Sequence, residues 1–203
     1  MKIFLFVILV IFALLIGLYP LIYLFVDHKH TFLQTKLPEV VHDTVWRALF
    51  FSHMIFGGIS LFIGWRQFGA TFRNKHKVLH RIIGKTYIFS VIISSVSGIY
   101  IGFFANGGII SSLGFISLGM IWFSTTVAAF LKIKGGDVLQ HQKLMTYSYA
   151  CTFAAVTLRL WMPLLKIAIG TPDISYLIVA WLCWVPNLLV AYYINKTHSL
   201  QNQ

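Results

Sequence analysis

His53, His80, His141 and Arg159 stand in or beside long apolar runs, where ionisable side chains are costly and usually functional. A neutral imidazole can ligate a metal, relay a proton or hydrogen-bond a ligand. A guanidinium stays charged and requires a counter-charge. No Asp or Glu lies in any apolar run, so that of Arg159 has to come from carbonyls, water or a bound anion such as a haem propionate or a substrate carboxylate. Snorkelling to the outer headgroups is the plainer alternative for Arg159.

These residues recur at helical spacing with small and polar neighbours. His53, Gly57, Ser60, Gly64 and Gln67 form one such stripe. His80, Gly84, Tyr87, Ser94, Ser95, Gly98 and Gly102 form a second, and His141, Met145, Ser148, Thr152 and Arg159 a third. The separation of His141 and Arg159 is five turns at about 3.6 residues per turn, which places both on one face of an unbroken helix. Stripes of this kind mark the side of a membrane helix that faces other helices. Ordinary close packing explains the glycines and serines by themselves, whereas three histidine-bearing stripes predict a shared polar interior.

The elements that carry them are membrane spans. The chain has 203 residues, is 58% hydrophobic and 10% charged, and has a mean hydropathy of +0.81, a balance that lipid rather than water must cover. Six runs reach the roughly 20 residues a bilayer crossing needs: 3–26, 46–67, 81–104, 108–131, 144–167 and 175–194. The first is too long for a signal-peptide core and lacks a small-residue cleavage pattern, so it reads as a retained anchor. The expected fold is an all-α polytopic transmembrane bundle: an anchor helix over 1–26, an extracytoplasmic loop over 27–45, a five-helix core over 46–194 and a tail over 195–203.

Charge sets the direction. With the N-terminus inside, Lys2, Arg66, Arg73, Lys75, Lys77, Arg81, Lys85, Lys132, Lys134, Lys143 and Lys196 face the cytoplasm. Only Lys29, Lys36, Arg47 and Lys166 face outward. Lys and Arg are favoured in cytoplasmic loops, so both termini are expected there, in a cell (inner or plasma) membrane. The net charge of +11 therefore reflects insertion topology, and no nucleic-acid partner is expected. On this topology His80 and His141 lie at the cytoplasmic edge of the third and fifth spans. His53 lies roughly 10 Å in from the outer end of the second, and Arg159 at a similar depth in the fifth.

Several chemistries are excluded or weak. Gly84-Lys85-Thr86 ends like a phosphate-binding loop, but Leu79 stands where the first glycine belongs. No two-histidine zinc helix and no serine nucleophile elbow occurs, so there is no hydrolase or transferase motif. Cys151 and Cys183 are isolated in apolar runs and read as packing residues. Asp27, His28 and His30 could together hold a metal at the outer surface. Neither inverted repeats nor paired broken helices are evident, although Pro163 and Pro186 could kink the last two spans.

His53-x3-Gly57, Arg66-Gln67-Phe68, Leu79-His80-Arg81-x2-Gly84-Lys85-x-Tyr87, Trp122, His141 and Thr157-Leu158-Arg159-Leu160 resemble a group of bacterial membrane proteins, the domain-of-unknown-function 2306 family. That resemblance covers residues 46 to 165 and implies a membrane location without an activity. The chain is also similar, more distantly, to the six-span di-haem cytochromes that pass electrons from ascorbate and to haem-bearing ferric reductases. In those proteins histidines on facing helices hold haem b. The resemblance matches His53 to their second-helix histidine and His80 with His141 to a third- and fifth-helix pair. It implies one haem at most, because the fourth span has no histidine.

Two functional classes follow. In the first, the protein is a membrane oxidoreductase component: His80 and His141 ligate haem b, Arg81 or Lys85 pairs with its propionates, and His53 with Arg159 forms an outer site for a quinone or anionic small molecule. A membrane redox partner then exchanges electrons with it. In the second, the protein is a small-molecule or anion transporter, or a structural membrane partner, and holds no cofactor.

Overall fold

A computed structural model describes residues 2–25 and 32–201. The proposed metal trio Asp27, His28 and His30 lies outside the described residues. Among those residues there is no strand, and six helical segments are long and apolar enough to cross a membrane. Span 1 is Phe4–Leu21, span 2 Thr44–Phe68, span 3 Lys77–Gly102, span 4 Gly108–Lys134, span 5 Val138–Ile169 and span 6 Pro172–Thr197. Helix is the form this sequence has to take, because backbone amides and carbonyls in hydrocarbon must pair within their own segment. Large apolar side chains remain exposed on the spans, Phe4, Ile109 and Ile167 among them, as expected of surfaces that acyl chains cover.

The spans begin and end with local signals. The Asp43 carboxylate accepts from the amides of Val45 at 2.8 Å and Trp46 at 3.5 Å, capping span 2. Asp137 accepts from Gln140 N at 3.0 Å and caps span 5. Gly107, at φ 83°, supplies the left-handed residue that opens span 4.

The chain divides into two compact units, residues 1–104 and 105–203, with three spans each. In the first unit, span 2 packs along span 3, and span 1 against span 2. The latter approach is close: a methyl at Gly58 would sit 2.7 Å from Gly17 O and 2.8 Å from Pro20 Cγ. The segment before span 2 is folded, with a short helix at Pro38–His42 and with Leu33 buried alongside Trp46 and Phe50. Trp46 and Phe50 stack with ring centroids 5.1 Å apart.

In the second unit, span 5 packs on span 4 and span 6 on both. Neither of the last two spans is a continuous helix. Span 5 is interrupted at Phe153, between helices Val138–Thr152 and Ala154–Ile169. Span 6 is interrupted at Cys183 and Trp184, between Pro172–Leu182 and Val185–Gln201. Both interruptions lie in the second unit, and Phe153 and Cys183 keep right-handed helical angles, at φ −69° and φ −72°. Pro186, which has no N–H to donate, follows the second interruption and is its direct cause. Pro163 lies inside an intact helix, and the bend expected there occurs ten residues earlier.

Candidate functional site

His53 is half-buried in span 2, nine residues beyond the start of its helix at Thr44. Its Nδ1 donates to Ser94 O in span 3 at 2.8 Å, and Ser94 Oγ returns a bond to His53 O at 2.8 Å. A carbonyl only accepts, so Nδ1 carries the proton and the neutral ring keeps its lone pair on Nε2. Gly98 gives the imidazole its room: a methyl there would come within 2.7 Å of Nδ1. At Gly57 a methyl would lie 3.0 Å from Ser94 Oγ. The first two stripes therefore meet face to face, and His53 is one of the bonds that join them.

At the other end of this helix pair, Gln67 is buried, with Oε1 3.5 Å from where a methyl on Gly84 would sit. His80 lies in the first turn of span 3, which begins at Lys77, and its amide donates to His76 O at 2.9 Å. Its Nδ1 is buried. Arg81 and Lys85, on the same two turns, are exposed, so either can reach an anionic group outside the helix pair.

His141 occupies the equivalent first-turn position in span 5, which starts at Val138. Its Nδ1 donates to Ala129 O of span 4 at 2.9 Å, which again leaves the lone pair on Nε2. The rest of this stripe is engaged by span 4 as well. Thr126 Oγ1 and Ser148 Oγ are 2.6 Å apart, and Trp122 Nε1 donates to Thr152 Oγ1 at 2.9 Å. Span 2 thus pairs with span 3, and span 4 with span 5, each within its own unit.

Arg159 is half-buried, and its Nη1 donates to Ala155 O at 2.8 Å. A backbone carbonyl therefore supplies part of the compensation that its charge demands. The unbroken helix needed to place His141 and Arg159 on one face is interrupted at Phe153, where Val156 N closes back on Phe153 O at 2.9 Å, a three-residue step.

Asn187 is the polar residue that sequence reasoning missed. Its Nδ2 donates to Cys183 O at 3.0 Å, Thr157 Oγ1 at 3.1 Å and Ala150 O at 3.2 Å, and Thr157 Oγ1 also donates to Cys183 O. This cluster joins the interruptions of spans 5 and 6, where backbone carbonyls leave the regular helical ladder. The available signal was an Asn directly after Pro186 in an otherwise apolar run.

For haem b, the residues present supply a suitable donor in His141, whose ring is held by a carbonyl as a metal-ligating imidazole usually is. Arg81 and Lys85 supply accessible cations for carboxylates.

Six apolar helices with buried hydroxyls and amides and half-buried imidazoles define a polytopic helical membrane protein. Residues 50–195 match the family described as predicted membrane protein (DUF2306), and the chain belongs to that family. No curated protein and no solved structure matches it.

Proposed function

We propose that this protein binds haem b in the membrane and takes part in transmembrane electron transfer. The observation that carries the reading is the bond from His141 Nδ1 to Ala129 O at 2.9 Å, which fixes the neutral ring with its lone pair on Nε2. His141 would then hold the haem iron through Nε2, and His80 would hold it too, an assignment made on sequence grounds. Arg81 or Lys85 pairs with the propionates, and His53 with Arg159 serves a quinone or another anionic small molecule. Haem b, when bound, supplies a one-electron iron couple. What the chain contributes is the orientation of the imidazoles, the compensating cations and the exclusion of water by the surrounding spans. A membrane redox partner follows from this reading, as does the role of oxidoreductase component.

The experiment is an absorption spectrum of protein purified from haem-replete cells. A reducible Soret band that is lost in both His80→Ala and His141→Ala is the expected result. Colourless protein sinks the reading.

A second reading, transport of a small anion, has its own support in the interruptions of spans 5 and 6 and in the half-buried cation Arg159. Discontinuous spans are where transporters expose backbone groups to cargo. Uptake of a radiolabelled anion into proteoliposomes, abolished by Arg159→Gln, is what that reading expects.

A further inference from the structure

The turn between spans 2 and 3 holds the densest group of cations in the sequence, and no acid occurs between Asp43 and Asp137. Topology alone would leave such cations splayed into water and headgroups. Here they border a cleft of about 350 Å³. That lies within the roughly 300–1,000 Å³ typical of small-molecule sites. Arg66 is held on its rim, with Cζ 5.4 Å from the centroid of the Trp65 ring and 4.7 Å from that of Phe72. Rings on two sides restrict the guanidinium without using its N–H groups, which remain available to an anion. Lys75, Thr71 and His76 complete the polar lining. Among the described residues, no carboxylate comes within ion-pair distance of Arg66 or Lys75. The Trp65 indole N–H, on the lining, and the Gln67 carboxamide nitrogen, close by in sequence, are buried donors with no acceptor among the described residues.

Gly69 also lines the cleft, and span 1 contributes Phe6. Its neighbours Phe4 and Leu5 are 67% and 58% exposed on a membrane span, so the cleft runs from fixed cations onto a surface covered by acyl chains. A phosphate attached to a diacyl tail satisfies both ends at once, whereas free phosphate satisfies only one.

We propose that the cleft formed by Phe6, Trp65, Arg66, Thr71, Phe72 and Lys75 binds the phosphate headgroup of an anionic phospholipid. The site is distinct from the haem reading and stands without it. Arg66 and Lys75 make charge-assisted bonds to the phosphate oxygens, Thr71 adds a hydroxyl, and Phe6 packs on the tail. The lipid thereby joins span 1 to the turn between spans 2 and 3.

The test measures the thermal midpoint of the full chain in neutral detergent while dioleoylphosphatidylglycerol, dioleoylphosphatidylcholine or inorganic phosphate is added. A ligand that binds the native state raises this midpoint. The expected result is a saturable rise with phosphatidylglycerol alone. Its half-saturation should become roughly tenfold weaker in Arg66→Gln and in Lys75→Gln, and stay unchanged in Lys166→Gln, a cation in the other unit. An equal rise in all variants means bulk charge attraction and overturns the proposal. So does a rise matched by inorganic phosphate, which marks a site for free anions. Should Arg66→Gln fail to fold, Lys75→Gln and Thr71→Val are titrated in its place. Native mass spectrometry adds an independent readout, since wild type should retain phosphatidylglycerol and Lys75→Gln should not.

Discussion

Lys36 lies in the folded segment before span 2, where it is half-buried and donates to Phe104 O at the end of span 3. Burial lowers its ammonium from the ordinary 10.5 to about 8. The sign of the consequence follows from proton linkage. Between these two values the unfolded chain binds the proton more tightly than the native one, so stability rises with pH through that window. Below about pH 8 both states are protonated, and the native state carries the full penalty of a buried charge. Thermal midpoints measured from pH 7 to 10 should rise above pH 8 in the wild type. In Lys36→Met that component should be absent, and an identical slope in the variant would remove Lys36 as its source. His53 shows the same principle without charge: its bond to Ser94 O satisfies an imidazole that hydrocarbon would otherwise leave costly.

Spans 5 and 6 illustrate how an element can be interrupted without being lost. Their breaks are adjacent because one side chain, Asn187, bonds to carbonyls at both, Ala150 O and Cys183 O. Replacing Asn187 with Leu keeps the volume and removes these bonds. Hydrogen bonds between membrane helices average about 0.6 kcal/mol and reach about 1.7 kcal/mol. Asn187 makes two such bonds, to Ala150 O and Thr157 Oγ1, so Asn187→Leu should destabilise the protein by about 1–2 kcal/mol in reversible unfolding from bicelles. Thr157→Val should cost a similar amount, and the double variant less than the sum, because the two residues share an acceptor. Strict additivity would show that the cluster is not a unit. In spans 2 and 3 the glycines serve the polar side chains, Gly57, Gly84 and Gly98 leaving room for Ser94, Gln67 and His53, while Gly58 lets span 1 approach to its backbone.

At the scale of the whole molecule, the distribution of Lys and Arg predicts an orientation. Eleven of these residues fall on one side of the six spans and four on the other, which argues for both termini in the cytoplasm. The thiol of Asn74→Cys, between spans 2 and 3, should then react with a membrane-impermeant maleimide only after the cells are opened. That of Thr171→Cys, between spans 5 and 6, should react in intact cells. The background for both is a chain with Cys151 and Cys183 replaced by Ala. The reverse pattern would invert the topology and move His80 and His141 to the outer edge.

The number of spans, their approximate limits and buried polar positions on the second, third and fifth were legible in the sequence. They depend on composition and on a period of 3.6 residues, which belong to a single helix and are set by its own residues. Thus Ser60, Ser94 and Ser148 were expected inside and are buried. Which face meets which was not legible, because a stripe specifies that a partner exists without specifying the partner. His141 bonds to Ala129 in span 4, a span in which the sequence offers no histidine to draw the eye. The interruptions at Phe153 and Cys183 were hidden for a related reason. Their bonds run between residues 26 to 37 positions apart, Thr157 to Cys183 and Asn187 to Ala150, and only tertiary structure brings such positions together.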